Sequence, residues 1–435
     1  MKFGFLLVVS LISTFAVAQT YGNEWISYDQ KYFSFPVVEA GIYKIDYPTL
    51  VAAGVPLSGL SSSNFQIFGK EREIPLFIED GGDQTIESGD FIIFYAEGND
   101  GWLDSSLYDN TDWIGNPKYS LYNDTLHYFL TWNSSTDNLR FSEETADDFE
   151  NYSADEFVIE ERFDFYSNSY NEGEKSADAS SSFFMPGEGW GSTPKNGNNG
   201  YTWDFSALNF AGIYQGQNAP LIEYESVVVG RSNALQVNPE SGNHHTKHTI
   251  GNSNYTLVDS VFTGYQSVFV NGSFPADVIS SNGNSNFKVN IIGDLNVATD
   301  YQSINYWSFH YPRSLSFSSE ASVDFEVINS AALKSKIEIS GGQFVSPVAF
   351  VIGPEPYKLK IVESNGVYKC LVPNATLSDR QKVFIESNSG ITNVTALQAV
   401  NQNGFFTDFA STSNLESVLL FVYNEKLGNA VDDYV

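Results

Sequence analysis

Apolar and polar residues alternate with a period of two along most of this chain. The pattern is clear in residues 287–291, 323–327 and 336–339. Alternation that uses β-branched and aromatic residues is typical of half-buried strands. Clusters of Asn, Gly and Ser, as in residues 196–200 and 280–284, predict the turns between strands. Because helical patterns rarely intervene, the sequence predicts a mainly β, multi-domain protein of antiparallel β-sandwich or jelly-roll-like modules.

The spacing of strands and turns divides the body into three β units. A chain of 435 residues has room for several domains. The first unit covers residues 19–155 and includes a short helical stretch near residues 48–53. The second unit covers residues 156–318 and has the longest Gly/Asn/Ser loops. The third unit covers residues 319–411 and is predicted to be an Ig-like β-sandwich.

The N-terminus has the pattern of a secretory signal peptide. Lys2 precedes a short apolar run, and Ala16 and Ala18 form an Ala-x-Ala cleavage site. We expect residues 1–18 to be removed and the mature protein to be exported. The apolar run is too short for a membrane-spanning helix, so no transmembrane segment is expected after cleavage.

Charge and cysteine content exclude several classes of function. The chain has 22 Lys and Arg against 53 Asp and Glu, which gives a formal net charge of −31. Nucleic acids and anionic membrane surfaces are therefore not expected partners. One cysteine can form neither an intramolecular disulfide nor a cysteine-rich zinc site.

That cysteine, Cys370, is the one candidate for a thiol nucleophile in this sequence. It lies in a strand pattern, 367–372, in which Tyr368, Cys370 and Val372 share a face. No histidine occurs within forty residues to lower its pKa. We therefore predict a small buried side chain without a catalytic role.

Three histidines cluster at His244, His245 and His248. On a strand, His244 and His248 point to one face together with Thr246, whereas His245 points to the other. The glutamate of helical zinc-protease motifs is absent. An exposed polar hairpin is the prediction, with adventitious metal binding as the alternative. His127 and His310, which neighbour aromatic residues in strand patterns, are expected to be structural.

Acidic turns and tryptophans offer two further candidates. The turns at residues 80–90 and 99–112 fit solvated loops, and calcium is the alternative ligand for their carboxylates. The tryptophans are expected to fill cores, with sugar stacking as the alternative. They include Trp102, Trp113, Trp132, Trp190, Trp203 and Trp307. No residue is assigned as catalytic, cofactor-binding or metal-binding.

The first unit resembles the N-terminal region of gingipain-like cysteine peptidases, in particular the sortase-like members of type IX secretion systems. The most specific segment is residues 88–101, SGDFIIFYAEGNDG. Shorter segments extend the match to the end of the second unit, namely 24–26, 38–45, 50–55, 65–71, 119–121, 128–132 and 311–315.

The last residues, 412–435, resemble the opening of that family's caspase-like α/β peptidase domain. A continuous apolar run, 418–423, predicts a buried strand, and Asn424 can cap a following helix. The family's catalytic histidine and cysteine lie deeper in that domain, so no residue of this chain inherits either role. We therefore expect the chain to be truncated at the start of an incomplete peptidase domain.

The resemblance implies a function for the parent protein rather than for these residues. Family members cleave secreted cargo through a Cys–His dyad and a thioester acyl-enzyme, and sortase-like members transfer the acyl group to a surface glycolipid. The implied partners are secreted cargo proteins and outer-membrane secretion components. The implied location is the outer-membrane-associated cell surface or the extracellular space. The alternative is a self-contained secreted β-sandwich adhesin or carbohydrate-binding surface protein.

Overall fold

The computed structural model describes residues 22–174, 183–234, 242–409 and 411. These residues form a mainly β protein of several antiparallel sheets with very little helix, which confirms the predicted fold class. The predicted signal peptide and the predicted strand and helix of residues 412–435 lie outside the described residues. No helix within the described ranges has the length and apolar character that a membrane crossing requires.

The first unit is a sandwich of two small sheets around one apolar core. Its elements are β1 (Phe33–Val37), β2 (Gly41–Asp46), α1 (Tyr47–Ala52), β3 (Phe65–Gly69), β4 (Arg72–Ile74), β5 (Leu76–Glu79), β6 (Phe91–Ala96) and β7 (Leu126–Trp132). Asp46 caps α1 by accepting a hydrogen bond from the Thr49 amide, and Pro48 lies in the first turn. The helix predicted near residues 48–53 is thus present.

The second unit pairs a four-stranded sheet with strands of a larger sheet. Its strands are β9 (Phe157–Phe165), β10 (Ser169–Asn171), β11 (Gly189–Gly191), β12 (Lys195–Asn196), β13 (Tyr201–Asn209), β14 (Ile222–Gly230), β15 (His244–Ile250), β16 (Tyr255–Phe262), β17 (Ser267–Phe274), β18 (Asn284–Ile291) and β19 (Tyr301–Ser314), with β8 (Ser142–Glu144) preceding them. Aromatic side chains dominate its core, where Phe309 contacts Tyr224, Phe287 and Trp307.

The third unit shares its main sheet with the second. Its strands are β20 (Ser322–Ile328), β21 (Lys334–Ser340), β22 (Val348–Ile352), β23 (Tyr357–Leu359), β24 (Val362–Ser364), β25 (Val367–Pro373) and β26 (Arg380–Glu386). Strand β9 pairs with β19 on one side and with β20 on the other. One ten-stranded sheet therefore runs through both units, which makes them a continuous body.

Residues near the end of the third unit return to the first unit. Strand β27 (Thr392–Asn393) pairs with β2, and strand β28 (Gln398–Ala399) pairs with β1. Val394 and Leu397 are buried in the core of the first unit. This return segment, residues 392–406, ties the two ends of the described chain together. The predicted unit boundaries remain predictions, but hydrogen bonding crosses them here.

Two further contacts join the first and third units. A satellite apolar cluster contains Ile42 and Ile93 from the first unit and Phe350 from the third. Strand β8 adds in parallel to β23, so the predicted linker at residues 142–155 forms part of a sheet. Six short 3₁₀ turns complete the described structure, at Ser62–Asn64, Asp104–Leu107, Thr111–Trp113, Phe149–Asn151, Ala276–Val278 and Val400–Gln402.

Asp155, at the end of that linker, should make the free energy of unfolding depend on pH. Burial raises the pKa of its carboxyl to about 6, although a hydrogen bond with Ser335 opposes the shift. The folded state therefore disfavours the charged carboxylate, and this penalty develops as the pH rises from about 4 to 6. We expect Asp155→Asn to raise the free energy of unfolding at pH 8 by about 1 kcal/mol, allowing for solvent screening.

The gain from Asp155→Asn should vanish below about pH 3, where the carboxyl is protonated in both the folded and the unfolded state. Urea unfolding at about pH 3 and at about pH 8 measures the difference, with the exposed Asp137→Asn as the matched control. An equal effect at both pH values would contradict the assignment.

Candidate functional site

The histidine cluster lies on β15, with its side chains on both faces of that strand. His244, Thr246 and His248 point into the second unit, and His245 points outward, as the period-two pattern predicts. The prediction of an exposed hairpin is wrong, because the side chains of His244, Thr246 and His248 are completely buried. Strands β14 and β19 of the facing sheet cover them, which no local pattern in residues 242–248 reveals.

His244 is held between two oxygen atoms. Its Nε2 lies 2.8 Å from the Ser232 carbonyl oxygen, and its Nδ1 lies 2.6 Å from Asp300 Oδ1. A carbonyl oxygen can only accept, so Nε2 donates to Ser232, and the Asp300 carboxyl group is the partner of Nδ1. Gln302 donates to the same carboxylate at 3.1 Å. The pair is buried and fully occupied by protein groups, which indicates a structural role.

His248 sits in a separate buried polar niche. The Tyr224 hydroxyl lies 2.8 Å from Nδ1, and the Thr246 hydroxyl lies 3.0 Å from Nε2. Burial lowers the pKa of His248 to about 3. The imidazole is therefore neutral at ordinary pH and acts as a hydrogen-bonding core residue. Ser226 Oγ lies 3.3 Å from the same Nδ1, but Ser226 and His248 are both buried, so this pair is closed to substrate in the structure.

His245 forms a surface network with two carboxylates. Its Nε2 lies 2.7 Å from Asp259 and its Nδ1 lies 2.9 Å from Asp294, while Lys247 pairs with Asp259. Partial burial lowers the pKa of His245, but the hydrogen bonds to the two aspartates outweigh it and raise the pKa overall. Across the described ranges, no group of three or more His, Cys, Asp or Glu has the arrangement of a metal site. Metal binding at this cluster therefore finds no support in the geometry.

Cys370 lies on β25 in the core of the third unit. It packs among the apolar side chains that include Ile337 on the paired strand β21. Burial raises the pKa of the thiol to about 12, far from the value of a nucleophilic cysteine. The predicted burial of Cys370 is confirmed, and its lack of a catalytic role stays a prediction.

We expect Cys370 to resist labelling in the native protein. Its thiolate is nearly absent at pH 8, and the side chain is inaccessible. Ellman's reagent should therefore react only after denaturation, with one thiol per chain. Rapid stoichiometric labelling without denaturant would show that this part of the core is open.

The acidic turns use their carboxylates locally. Asp80 accepts from the Gly82 amide at 2.9 Å, Asp83 from the Thr85 amide at 2.8 Å, and Asp90 from the Glu87 amide at 2.7 Å. These bonds stabilise turns, as the sequence predicts. Asp100 instead pairs with Lys70. Calcium in these turns stays a prediction.

The sequence does not point to Arg231 or Glu188 as site residues, since neither belongs to a recognisable motif. Glu188 is completely buried, and the Tyr170 hydroxyl donates to it at 2.7 Å. The Arg231 guanidinium donates through Nε to Ser303 at 2.8 Å and through Nη1 to the Gly187 carbonyl. Its Nη2 is buried and has no partner in the part of the chain that the structure describes.

This arginine lines a cavity of about 350 Å³ that we call the arginine pocket. Tyr170, Tyr265 and Tyr301 also line it, together with the polar residues Asn171 and Glu172. Such a pocket can bind but holds no nucleophile paired with a base. Of the predicted tryptophans, Trp307 is a core residue, and Trp190 stands beside the pocket against Tyr170.

Comparison with known proteins gives a likeness of fold. No protein-family model matches the sequence, and no curated protein matches it. The fold is similar to dimeric latent PorU from Porphyromonas gingivalis, with a TM-score of 0.53 and 13% identity. That alignment covers 86% of this chain and 34% of the PorU chain, so this chain spans about a third of PorU's length.

A second solved structure is far less similar. The extracellular domain of ANXUR2 from Arabidopsis thaliana aligns with a TM-score of 0.20 and 8% identity, over 66% of this chain and 79% of that chain. This value is too low to support any argument. The PorU likeness, at its low identity, supports a shared fold.

Proposed function

We propose that this chain is the non-catalytic N-terminal portion of a gingipain-like cysteine peptidase or sortase that processes type IX secretion cargo. The observation that carries the proposal is the PorU-like fold, which extends over 86% of the chain. The segments of the first unit that resemble the family, above all residues 88–101, agree with it. In this proposal the protein acts at the cell surface.

The described residues suit a supporting role. The ten-stranded sheet and the return segment join three units into one body, which can hold a further domain in a fixed position. Chemistry would come from a Cys–His dyad in that further domain, where a thiolate attacks the cargo and forms a thioester. Cys370 and the buried histidines cannot supply it, because they lie in different cores.

An activity-based probe tests whether the catalytic cysteine lies in a further domain. The protein is isolated from its native producer, treated with a cysteine-directed peptidyl probe, and digested for mass spectrometry. We expect the labelled cysteine to lie outside residues 22–411. Labelling at Cys370 would contradict the proposal, and so would a complete absence of labelled cysteine, which the adhesin alternative predicts.

A further inference from the structure

A row of aromatic side chains crosses one face of the second unit. Phe163 and Phe165 occupy alternate positions at the end of β9, and their rings lie 6.4 Å apart. Tyr119 lies 5.4 Å from Phe165, and Trp190 lies 6.3 Å from Tyr119 and 5.3 Å from Tyr170. We call these five residues the aromatic row.

The aromatic row is an exposed surface rather than a core. The side chains of Phe163, Phe165 and Tyr170 are 49%, 38% and 37% exposed, and Tyr119 and Trp190 are half-buried. Val158 and Ile159 are the buried residues of β9 and residues 162–165 are exposed, so this strand leaves the core before its aromatic end begins. A contiguous aromatic surface of this kind marks a binding site more often than isolated exposed rings do.

The aromatic row ends at the arginine pocket, because Tyr170 belongs to both. Tyr170 pairs with Trp190 across the β10–β11 hairpin, which fixes the position of its ring. Tyr301, 38% exposed, and Tyr265 complete the aromatic wall of the pocket. One end of a ligand that lies along the aromatic row would therefore reach Arg231.

Arg231 carries a charge that the protein only partly compensates. Its Nε and Nη1 donate to neutral oxygens, and Nη2 has no partner within the described residues. Burial accordingly lowers the pKa of Arg231 to about 9. A carboxylate or phosphate oxygen is the natural acceptor for such a guanidinium nitrogen, since charge-assisted hydrogen bonds are the strong ones.

The geometry points to a glycan-binding site in which the aromatic row stacks against sugar rings and Arg231 binds one acidic sugar. Tyrosine and tryptophan offer an apolar face with a polar tip, which suits the mixed surface of a sugar. Asn171 adds an amide at the pocket wall. Glu172 also lines the pocket and the chain is strongly acidic, so a ligand with one acidic group fits better than a polyanion.

Calorimetry on the purified chain tests this site with defined probes. The probes are glucuronic acid, glucose 6-phosphate, glucose, N-acetylglutamate and inorganic phosphate. We expect glucuronic acid or glucose 6-phosphate to bind at least about tenfold more tightly than glucose, and whichever binds more tightly identifies the acidic group. Equal binding of glucose would overturn the inference, as would equal binding of N-acetylglutamate or phosphate, or no binding by any probe.

Arg231→Met tests the role of the guanidinium, with the exposed Arg72→Met as its matched control. Arg231→Met should weaken binding of the acidic sugar about tenfold and leave glucose binding unchanged, whereas Arg72→Met should change neither. If Arg231→Met does not fold, Arg231→Lys serves instead, because it keeps the charge but loses the planar geometry and should weaken the same probe. Unaltered preference for the acidic sugar in either folded variant would overturn the inference.

Phe165→Ala tests the aromatic row independently. With an oligosaccharide of neutral sugars that ends in glucuronic acid, this variant should weaken binding about three- to tenfold. Glucuronic acid alone should bind as before, because it reaches only the pocket. Phe269→Ala, at an exposed phenylalanine outside the row, should change neither. An unchanged oligosaccharide affinity in Phe165→Ala would show that the row makes no contact.

Discussion

Asp300→Ala is expected to lower the free energy of unfolding by about 3–5 kcal/mol, because it removes one partner of the buried His244–Asp300 pair. Asp300 is 2% exposed and accepts from both His244 and Gln302. Alanine would leave the buried His244 Nδ1 without its acceptor, and the Gln302 amide would keep only the His245 carbonyl oxygen at 3.4 Å.

Chemical denaturation at pH 7 measures this loss, and Asp277→Ala, an exposed aspartate of the same unit, is the matched control. Asp300→Asn should be intermediate, because the amide keeps an oxygen acceptor without the charge. A loss below 1 kcal/mol in Asp300→Ala would contradict the structural role assigned to the buried histidine pair.

Leu397→Ala is the second large prediction, with a loss of about 2–4 kcal/mol for a buried leucine. Leu397 lies in the return segment and packs in the core of the first unit. The cavity left behind should weaken the seam at which β27 and β28 join β2 and β1. We also expect faster proteolysis between the third unit and the return segment, because the backbone hydrogen bonds there would open more often.

Limited proteolysis with mass spectrometry locates the cleavage, and Leu377→Ala, at an exposed leucine of the third unit, is the matched control. Equal stability and equal cleavage rates in the two variants would mean that the return segment does not hold the first unit. The return segment would then not contribute to a single supporting body.

The sequence predicted the fold class because strand alternation is a local property. It placed His244, Thr246 and His248 on one face, and it identified Cys370 as a core residue. The period of two shows which side chains share a face but not what covers that face. The burial of His244 depends on Asp300 and Ser232, which lie 56 and 12 residues away in the chain.

Long-range pairing explains the other features that the sequence does not predict. Strand β28 pairs with β1 across more than 360 residues, and no composition shift near residues 392–399 announces that return. Arg231 is equally invisible in the sequence, because its significance lies in what surrounds it. Its pocket is assembled from β10, the end of β14 and the start of β19, together with Tyr265 in a connecting loop.

The supporting role and the glycan site are independent proposals on one scaffold. The first concerns how the three units are joined, and the second concerns one exposed face of the second unit. Loss of glycan binding in Arg231→Met would leave the supporting role untouched. Conversely, a self-contained adhesin would keep the glycan site and lack the further domain.

The length of the native polypeptide tests the central proposal most directly. Antibodies raised against residues 242–409 would detect the protein in its producing cell, and mass spectrometry of the captured band would give its extent. The proposal predicts a polypeptide well beyond 435 residues, whose additional peptides include a caspase-like α/β domain with a histidine and a cysteine. A polypeptide that ends at residue 435 would contradict it.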